Sequence, residues 1–212
     1  MTLDVTINGV LQSQVLSGSS TSLPDVFNYQ GGLFGGGWDL NWDFNASNSS
    51  NGGTQAFTAG NFVIQNFSTT DAIEVELTVK LPVALFGSTV YGGSASGGLT
   101  TSGPGFLQDL DGPVWTGSTG GNIIATLFNN PFSVVRTEAG SSQLGAESFG
   151  NPIPSLPGPD LGSDLSVTLK FLLGANSSAS FTSVFVARIP APGAFALLGL
   201  GGLTAFGRRR RA

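Results

Sequence analysis

Cysteine and histidine are both missing from this 212-residue sequence. Without cysteine the chain has no thiol nucleophile, no disulfide framework and no thiolate ligand for zinc. Without histidine it has no Ser-His-Asp triad and lacks the usual general base of catalysis near neutral pH. An enzyme built from this sequence would have to work with carboxylates, hydroxyls and a few Lys, Arg or Tyr side chains.

Positive charge is also scarce. The sequence has 8 Lys and Arg against 13 Asp and Glu, and half of the basic residues stand together near the C-terminus. The other four, Lys80, Arg136, Lys170 and Arg188, are isolated, so residues 1–207 carry a net charge of −9 from four basic and 13 acidic residues. A chain of this kind offers no basic stripe that could follow a phosphate backbone. We therefore expect no nucleic-acid partner.

Charged residues make up only 10% of the chain, whereas glycine is abundant, with 32 residues. Lys and Glu, the usual residues of exposed helices, are nearly absent. The 16 Phe and 3 Trp supply enough apolar area for a core, so the low charge does not indicate disorder. This composition is typical of an exported all-β protein with long polar loops.

Strict alternation of apolar and polar residues is the dominant pattern before residue 190, and it predicts half-buried strands. The clearest strands are predicted at 2–8, 38–46, 72–80, 165–173 and 181–189, with weaker candidates at 61–67, 121–128 and 132–136. Two Gly-, Ser- and Pro-rich stretches, 92–112 and 140–164, are predicted as long loops. The sequence thus predicts an all-β fold over residues 1–188, a single β-sandwich of jelly-roll type with long Gly/Ser/Pro loops.

Trp38 and Trp42 stand among polar side chains in the segment WDLNWDF. One interpretation is a glycan platform, in which the rings stack on pyranoses and neighbours such as Asp39 and Asn41 bind their hydroxyls. The other is a core strand, because both tryptophans alternate with polar residues and share a face with Leu40. The alternation favours the core strand, and the glycan platform remains the alternative.

Carboxylates occur in two suggestive pairs. Asp109 and Asp111, in the turn DLDG, could begin the oxygen set that Ca²⁺ requires, although the full EF-hand spacing is absent and an ordinary turn is the alternative. Glu74 and Glu76 share one strand face at about 6.6 Å between Cα atoms. That separation suits a glycosidase pair, but two glutamates alternating with Ile and Val are more typical of a solvated face.

The last residues differ from everything before them. Residues 194–207 are uncharged, and as a helix they would span about 21 Å, less than a ~30 Å hydrocarbon core; a start at Ile189 would just allow a crossing. A basic cluster follows that would stop export and stay in the cytoplasm. The predicted membrane segment includes Ala194, Leu197, Leu198, Leu200, Leu203 and Phe206, and the stop-transfer cluster is Arg208, Arg209, Arg210 and Arg211. A soluble core helix with a basic end is the alternative.

Three features stand in order in this tail: Pro190, Ala191 and Pro192, then the apolar run, then the arginine cluster. The arrangement resembles the PEP-CTERM sorting signals of bacterial exported proteins, with Ala191 where the family motif has glutamate. The resemblance implies cleavage near the motif by an exosortase, a membrane-embedded cysteine transpeptidase. It also implies an association with exopolysaccharide and biofilm. It covers only residues 189–212 and says nothing about what the remainder binds.

The first residues do not form a signal peptide, because their apolar side chains alternate as in a strand. We therefore expect either a start upstream of Met1 or another export route. The main functional hypothesis is an exported cell-surface or matrix protein with a structural or adhesive role and no catalytic activity. The alternatives are a lectin-like module for exopolysaccharide, with or without calcium, and a carboxylate-dependent glycan hydrolase.

Overall fold

The structure is a computed structural model that describes residues 1–48, 53–83 and 87–190. Within these ranges the chain forms sixteen strands and no helix, and so no helix there could span a membrane. The short C-terminal helix predicted at 194–207 lies outside the described residues. The strands are β1 (Thr2–Ile7), β2 (Val10–Val15), β3 (Ser19–Ser20), β4 (Phe27–Gly35), β5 (Trp38–Ser47), β6 (Gln55–Asn66), β7 (Ile73–Pro82), β8 (Thr89–Thr101), β9 (Gly105–Asp109), β10 (Trp115–Thr119), β11 (Asn122–Leu127), β12 (Ser133–Arg136), β13 (Gly140–Phe149), β14 (Leu156–Gly158), β15 (Asp164–Leu173) and β16 (Ser177–Arg188).

The strands pair in two antiparallel sheets with one apolar core between them. Sheet I has the order β11-β10-β15-β7-β1-β2, and β9, which pairs with β15 and β12, extends it beside β10. Sheet II has the order β13-β8-β16-β6-β5-β4-β3, and β14 pairs with the start of β8. The predicted all-β sandwich is therefore confirmed.

Strand β16 lies in the middle of sheet II. All 12 of its residues pair with β6 on one side and with β8 on the other. Side chains of a strand alternate between the two faces of its sheet. In β16, Phe181 and Phe185 are buried in the core, whereas Ser180 and Thr182 are exposed on the opposite face. Sheet II therefore has one apolar face toward sheet I and one polar face toward solvent.

The tryptophan-rich segment forms β5, and its apolar side chains are buried. Trp38 and Trp42 are each 7% exposed, and Leu40 between them is fully buried. The indoles also lie over Gly35 and Gly31 of the neighbouring strand β4, where no Cβ atom would fit. The interpretation of Trp38 and Trp42 as a glycan platform is wrong, because their rings are covered inside the sandwich. The core-strand interpretation is confirmed.

The two stretches predicted as long loops are largely strand. Residues 92–112 contain most of β8 and all of β9, and residues 140–164 contain β13 and β14. The error arises because glycine and serine are read as turn residues. In β8, however, a Cβ atom on Gly93 or Gly97 would lie 2.5 Å from a carbonyl oxygen of β16. The close approach of two backbones requires glycine in this strand.

Trp115 of β10 joins the two sheets through a buried hydrogen bond. Its Nε1 donates to Ser183 Oγ of β16 at 2.7 Å, and the indole is fully buried. Its ring also meets the Phe185 ring edge-on, with 5.8 Å between centroids. The buried Nε1 of Trp42, in contrast, has no hydrogen-bond partner in the described part of the chain. The two buried indoles thus differ in whether their N–H group is satisfied, and Trp115 in addition contacts the rings of Phe149 and Phe185.

We expect Trp115→Phe to lower the free energy of unfolding more than Trp42→Phe does, by about 1–3 kcal/mol. Both changes remove part of a buried indole, but only Trp115→Phe breaks a buried hydrogen bond and leaves Ser183 Oγ without its donor. Urea denaturation followed by tryptophan fluorescence measures the difference, because each variant keeps two of the 3 tryptophans. Equal costs would contradict the assignment of this bond as the link between the sheets.

Candidate functional site

The outer face of sheet II, the face that points away from the core, is broad and polar. Cross-strand pairing aligns outward-pointing residues of neighbouring strands in rows. The row near one end of the sheet consists of Phe34, Asp39, Gln65, Ser178 and Thr100. Four strand spacings separate its first and last members, about 19 Å. The following rows contain Asn41, Ser180, Gln30, Asp43, Asn61, Thr182 and Ser96.

A cleft of about 290 Å³ opens at this end of the outer face. It lies between the end of β6, the start of β16 and the end of β8. Phe67 follows the last residue of β6, and its ring is 56% exposed at the cleft. We call this site the polar cleft and define it by Gln65, Phe67, Thr100, Ser102, Asn176 and Ser178.

Three polar side chains of the cleft are free to bind a ligand. Those of Gln65, Asn176 and Ser178 make no hydrogen bond to any residue in the described ranges, and each is partly exposed. An amide offers both donors and an acceptor, and a hydroxyl offers both as well. The cleft therefore presents an apolar ring beside groups that can donate and accept hydrogen bonds.

Asn66 fixes the base of the polar cleft and is itself only 2% exposed. Its Nδ2 donates to the carbonyl oxygens of Asp71, Leu173 and Gly174 at 2.9, 3.2 and 3.0 Å, and its Oδ1 accepts from the Ser68 N–H at 3.0 Å. These bonds tie the turn after β6 to the turn between β15 and β16. The first turn begins with Phe67 and the second contains Asn176, so Asn66 holds two walls of the cleft together.

The charge of the outer face is sparse and acidic. The outer face is formed by strands β4, β5, β6, β8 and β16. In these strands Arg188 is the sole basic residue of the described chain, and it lies at the end of β16 that is remote from the cleft. Asp43 accepts hydrogen bonds from Asn28 Nδ2 at 2.8 Å and from Gln30 Nε2 at 3.2 Å. Asp39 stands in the same row as Gln65. Two carboxylates without a nearby cation disfavour an anionic ligand.

Asp109 and Asp111, the candidate calcium ligands, lie at the end of β9 and in the connection that follows it. Asp109 Oδ1 accepts from the Phe132 N–H at 2.8 Å, and its Oδ2 accepts from the Asn130 amide, so this carboxylate fixes the connection between β11 and β12. Asp111 lies in a turn with a φ of 55°. Across the described ranges no group of three or more His, Cys, Asp or Glu could hold a metal ion. The ordinary-turn interpretation of this pair fits these contacts, and calcium binding by the pair stays a prediction.

Glu74 and Glu76 lie on the solvent face of sheet I, far from the polar cleft on sheet II. Glu74 is exposed, and Glu76 Oε2 is 3.9 Å from Lys170 Nζ with both side chains about half exposed. An ion pair with this exposure is screened by solvent and contributes little to stability. Both glutamates line a shallow pocket of about 160 Å³ with Lys170, and their exposure fits the solvated face.

Of the three residues of the predicted sorting motif, only Pro190 lies within the described residues. The Ile189 N–H donates to the Thr54 carbonyl at 2.8 Å, and Pro190 after it is exposed. Ala191, Pro192, the apolar run and the arginine cluster lie outside the described residues. A cut after Pro190 would therefore leave every described strand intact.

Comparisons with known proteins assign no function to this chain. No protein-family model matches the chain, and no curated protein does. A solved structure that is similar is that of the carbohydrate-binding module TmCBM61 in complex with β-1,4-galactotriose. The identity is 12%, the match covers 72% of this chain and 88% of that one, and the TM-score is 0.30. The galactotriose belongs to that protein, and a similarity this low assigns no ligand to the present chain.

We expect Asn66→Ala to lower the free energy of unfolding by about 2–3 kcal/mol, because several buried carbonyl oxygens lose their only side-chain donor. The matched control is Asn61→Ala on the outer face, where an exposed amide accepts one bond from Thr182 Oγ1 at 2.7 Å. That control should cost no more than about 0.5 kcal/mol. Urea denaturation of both variants is the measurement, and similar costs would mean that Asn66 does not hold the cleft.

Proposed function

We propose that this chain is a non-catalytic carbohydrate-binding protein and that the polar cleft holds part of a neutral polysaccharide. The observation that carries the proposal is an exposed aromatic ring, Phe67, beside three polar side chains that lack protein partners. Sugar rings carry C–H groups that pack on aromatic faces, and their hydroxyls both donate and accept hydrogen bonds. The cleft supplies a matching surface for both parts.

An extended chain fits the outer face better than a small compact ligand does. The cleft is open and, at about 290 Å³, lies just below the size range of small-molecule sites, roughly 300–1,000 Å³. The row that contains Gln65 continues past Asp39 to Phe34, whose ring is 86% exposed. A polysaccharide that crosses the strands would meet Phe67 and then Phe34, two apolar rings separated by polar side chains.

The charges of the outer face support a neutral ligand. Asp39 and Asp43 are its carboxylates. The Arg136 guanidinium, beside the end of β13 that pairs with Thr100 and Thr101, already donates hydrogen bonds to Glu138 O, Ser141 O and Ser142 Oγ. Binding an acidic polysaccharide would place uronates or sulfates near Asp39 and Asp43 without a free cation to compensate them. We therefore propose selectivity for uncharged glycans, independent of calcium because Asp109 and Asp111 lie apart from the cleft.

We expect Phe67→Ala to weaken binding of a neutral polysaccharide roughly tenfold to a hundredfold, because covering a Phe ring contributes about 1.5–3 kcal/mol. Gln65→Ala should weaken binding about tenfold through lost hydrogen bonds. Affinity electrophoresis against a panel of neutral and acidic polysaccharides measures both effects, and a chelator should change neither.

The matched control is Ile123→Ala, which removes an exposed apolar side chain (68% exposed) from sheet I. It should bind the polysaccharide as the wild type does. If no neutral polysaccharide in the panel retards the wild-type protein, the proposal fails. It also fails if Ile123→Ala weakens binding as much as Phe67→Ala.

We further propose that residues 189–212 are a PEP-CTERM-like sorting signal that takes the sandwich to the cell envelope or the medium. Two observations support it: the order of Pro190–Pro192, apolar run and arginine cluster, and the position of Pro190 just after the end of β16 at Arg188. In this arrangement an exosortase removes the apolar run and the arginines, and the folded domain is released or attached elsewhere.

The intact mass of the protein from the envelope and the medium of its native organism tests the sorting proposal. We expect a C-terminus between Pro190 and Gly193, without the apolar run. A mass that retains Arg208–Arg211 would contradict processing and leave an uncleaved membrane anchor. This outcome is independent of the polysaccharide test, because one concerns the tail and the other the outer face of sheet II.

A further inference from the structure

Strand β2 forms one edge of sheet I and has none of the usual protection of an edge strand. Its sequence, VLQSQV, contains no charge and no proline, and its register with β1 is continuous from Val10 to Val15 without a bulge. Natural edge strands are usually blocked by charges, prolines or bulges, since an open edge pairs with other strands. In β2, Leu11 is 62% exposed and Val15 is 84% exposed.

The backbone groups on the open edge can be identified from the neighbouring bonds. The Asn8 N–H donates to Glu74 O of β7 at 3.0 Å, and the Leu16 N–H donates to Met1 O at 3.0 Å. Hydrogen-bonding direction alternates along an antiparallel strand. The backbone N–H and C=O groups of Val10, Gln12 and Gln14 therefore point toward β1. The backbone N–H and C=O groups that point away from the sheet are those of Leu11, Ser13 and Val15.

These three residues are self-complementary. If a second β2 pairs antiparallel with the first so that the two Ser13 residues face each other, Leu11 faces Val15 of the partner subunit, and Val15 faces Leu11 of the partner subunit. Every outward N–H and C=O group of the three residues then has a partner, which gives six backbone hydrogen bonds. On the solvent face, apolar side chains meet apolar side chains, and serine meets serine.

The opposite faces of the two strands also match in this register. Gln12 faces Gln14 of the partner subunit on the core side, and amide side chains can bond to each other there. The nearest acidic groups on the solvent face are Asp4 and Asp4 of the partner subunit, three strand spacings or about 14 Å apart, which is beyond the screening length at physiological salt. No like charges therefore oppose the pairing.

We propose that two copies of this chain associate through β2, so that sheet I of one copy and sheet I of the other form one continuous sheet. A twofold axis perpendicular to this sheet relates the two copies. The outer face of sheet II therefore points in the same direction in both copies. A symmetric pair of this kind closes on itself and does not extend into a filament. The pairing does not depend on the polysaccharide proposal, but it would let two polar clefts engage one surface and increase avidity.

Cysteine cross-linking tests the register, because the natural chain has no cysteine. In the full-length Ser13→Cys variant the two Cα atoms would be about 5.5 Å apart, within the roughly 4.4–6.8 Å that a disulfide allows. We expect a covalent dimer under mild oxidation. Leu11→Cys alone and Val15→Cys alone should not cross-link, because identical residues lie about 14 Å apart in this register. A mixture of these two variants should cross-link.

Sedimentation of two further full-length variants, in a mild detergent that masks the apolar tail, tests the hydrogen bonds. Ser13→Pro removes an N–H that points away from β1, and proline is tolerated on the open side of an edge strand. Ser13→Ala keeps that N–H, and both variants lose the same bond from Ser13 Oγ to Asp4 Oδ1 at 2.7 Å. We expect Ser13→Pro to weaken dimerisation at least tenfold relative to Ser13→Ala.

The proposal is overturned if the wild-type protein stays monomeric. It is overturned equally if the Ser13→Pro and Ser13→Ala variants dimerise with the same affinity. It is also overturned by Leu11→Cys cross-linking as efficiently as Ser13→Cys, or by assemblies larger than a dimer, which would mean a non-symmetric pairing of β2 with another edge. Should Ser13→Pro fail to fold, the cross-linking of Ser13→Cys and of the mixed pair still decides the outcome.

Discussion

The alternation of side chains along β16 is the constraint on which both the fold and the site depend. This strand pairs with β6 and β8 over its whole length, so its orientation fixes both neighbours. The side chains of Phe181, Ser183 and Phe185 point into the core. There Ser183 Oγ accepts a hydrogen bond from the Trp115 indole of sheet I. Ser178 and Thr182 point outward by the same alternation. A slip of one residue would bury the hydroxyls and expose the phenylalanines.

The polar cleft is built from a sheet face and two turns, and its parts depend on each other. The strands β6, β8 and β16 supply a flat row of polar side chains, and the turns after β6 and before β16 raise Phe67 and Asn176 beside it. Asn66 joins the two turns from below through four hydrogen bonds. A site held this way is preformed, which limits the ordering cost of binding. Pairing through β2 would place two such sites on one side of a dimer.

The sequence predicts the strands in which apolar and polar side chains alternate. It does not predict the strands that are rich in glycine and serine, which lack large side chains. β5, β7 and β15 are recognisable because large apolar residues mark every second position. β8 and β13 are not, because glycine and serine carry no apolar signal, and Gly97 is needed for the approach to Ser180 rather than for a turn. The cleft was missed for a related reason. Phe67 is the last residue of a segment, 61–67, in which apolar and polar residues alternate only weakly. Its position two residues after Gln65 is the only sequence feature which indicates that both side chains face solvent.

The central claim is that the outer face of sheet II, at the polar cleft, binds a neutral glycan. Titration of the isotope-labelled protein with a neutral oligosaccharide, followed by backbone amide chemical shifts, tests it most directly. We expect the shifts to change at Gln65, Phe67, Thr100 and Ser178 and to stay constant on sheet I. Changes confined to sheet I, or no change with any neutral oligosaccharide, would contradict the claim.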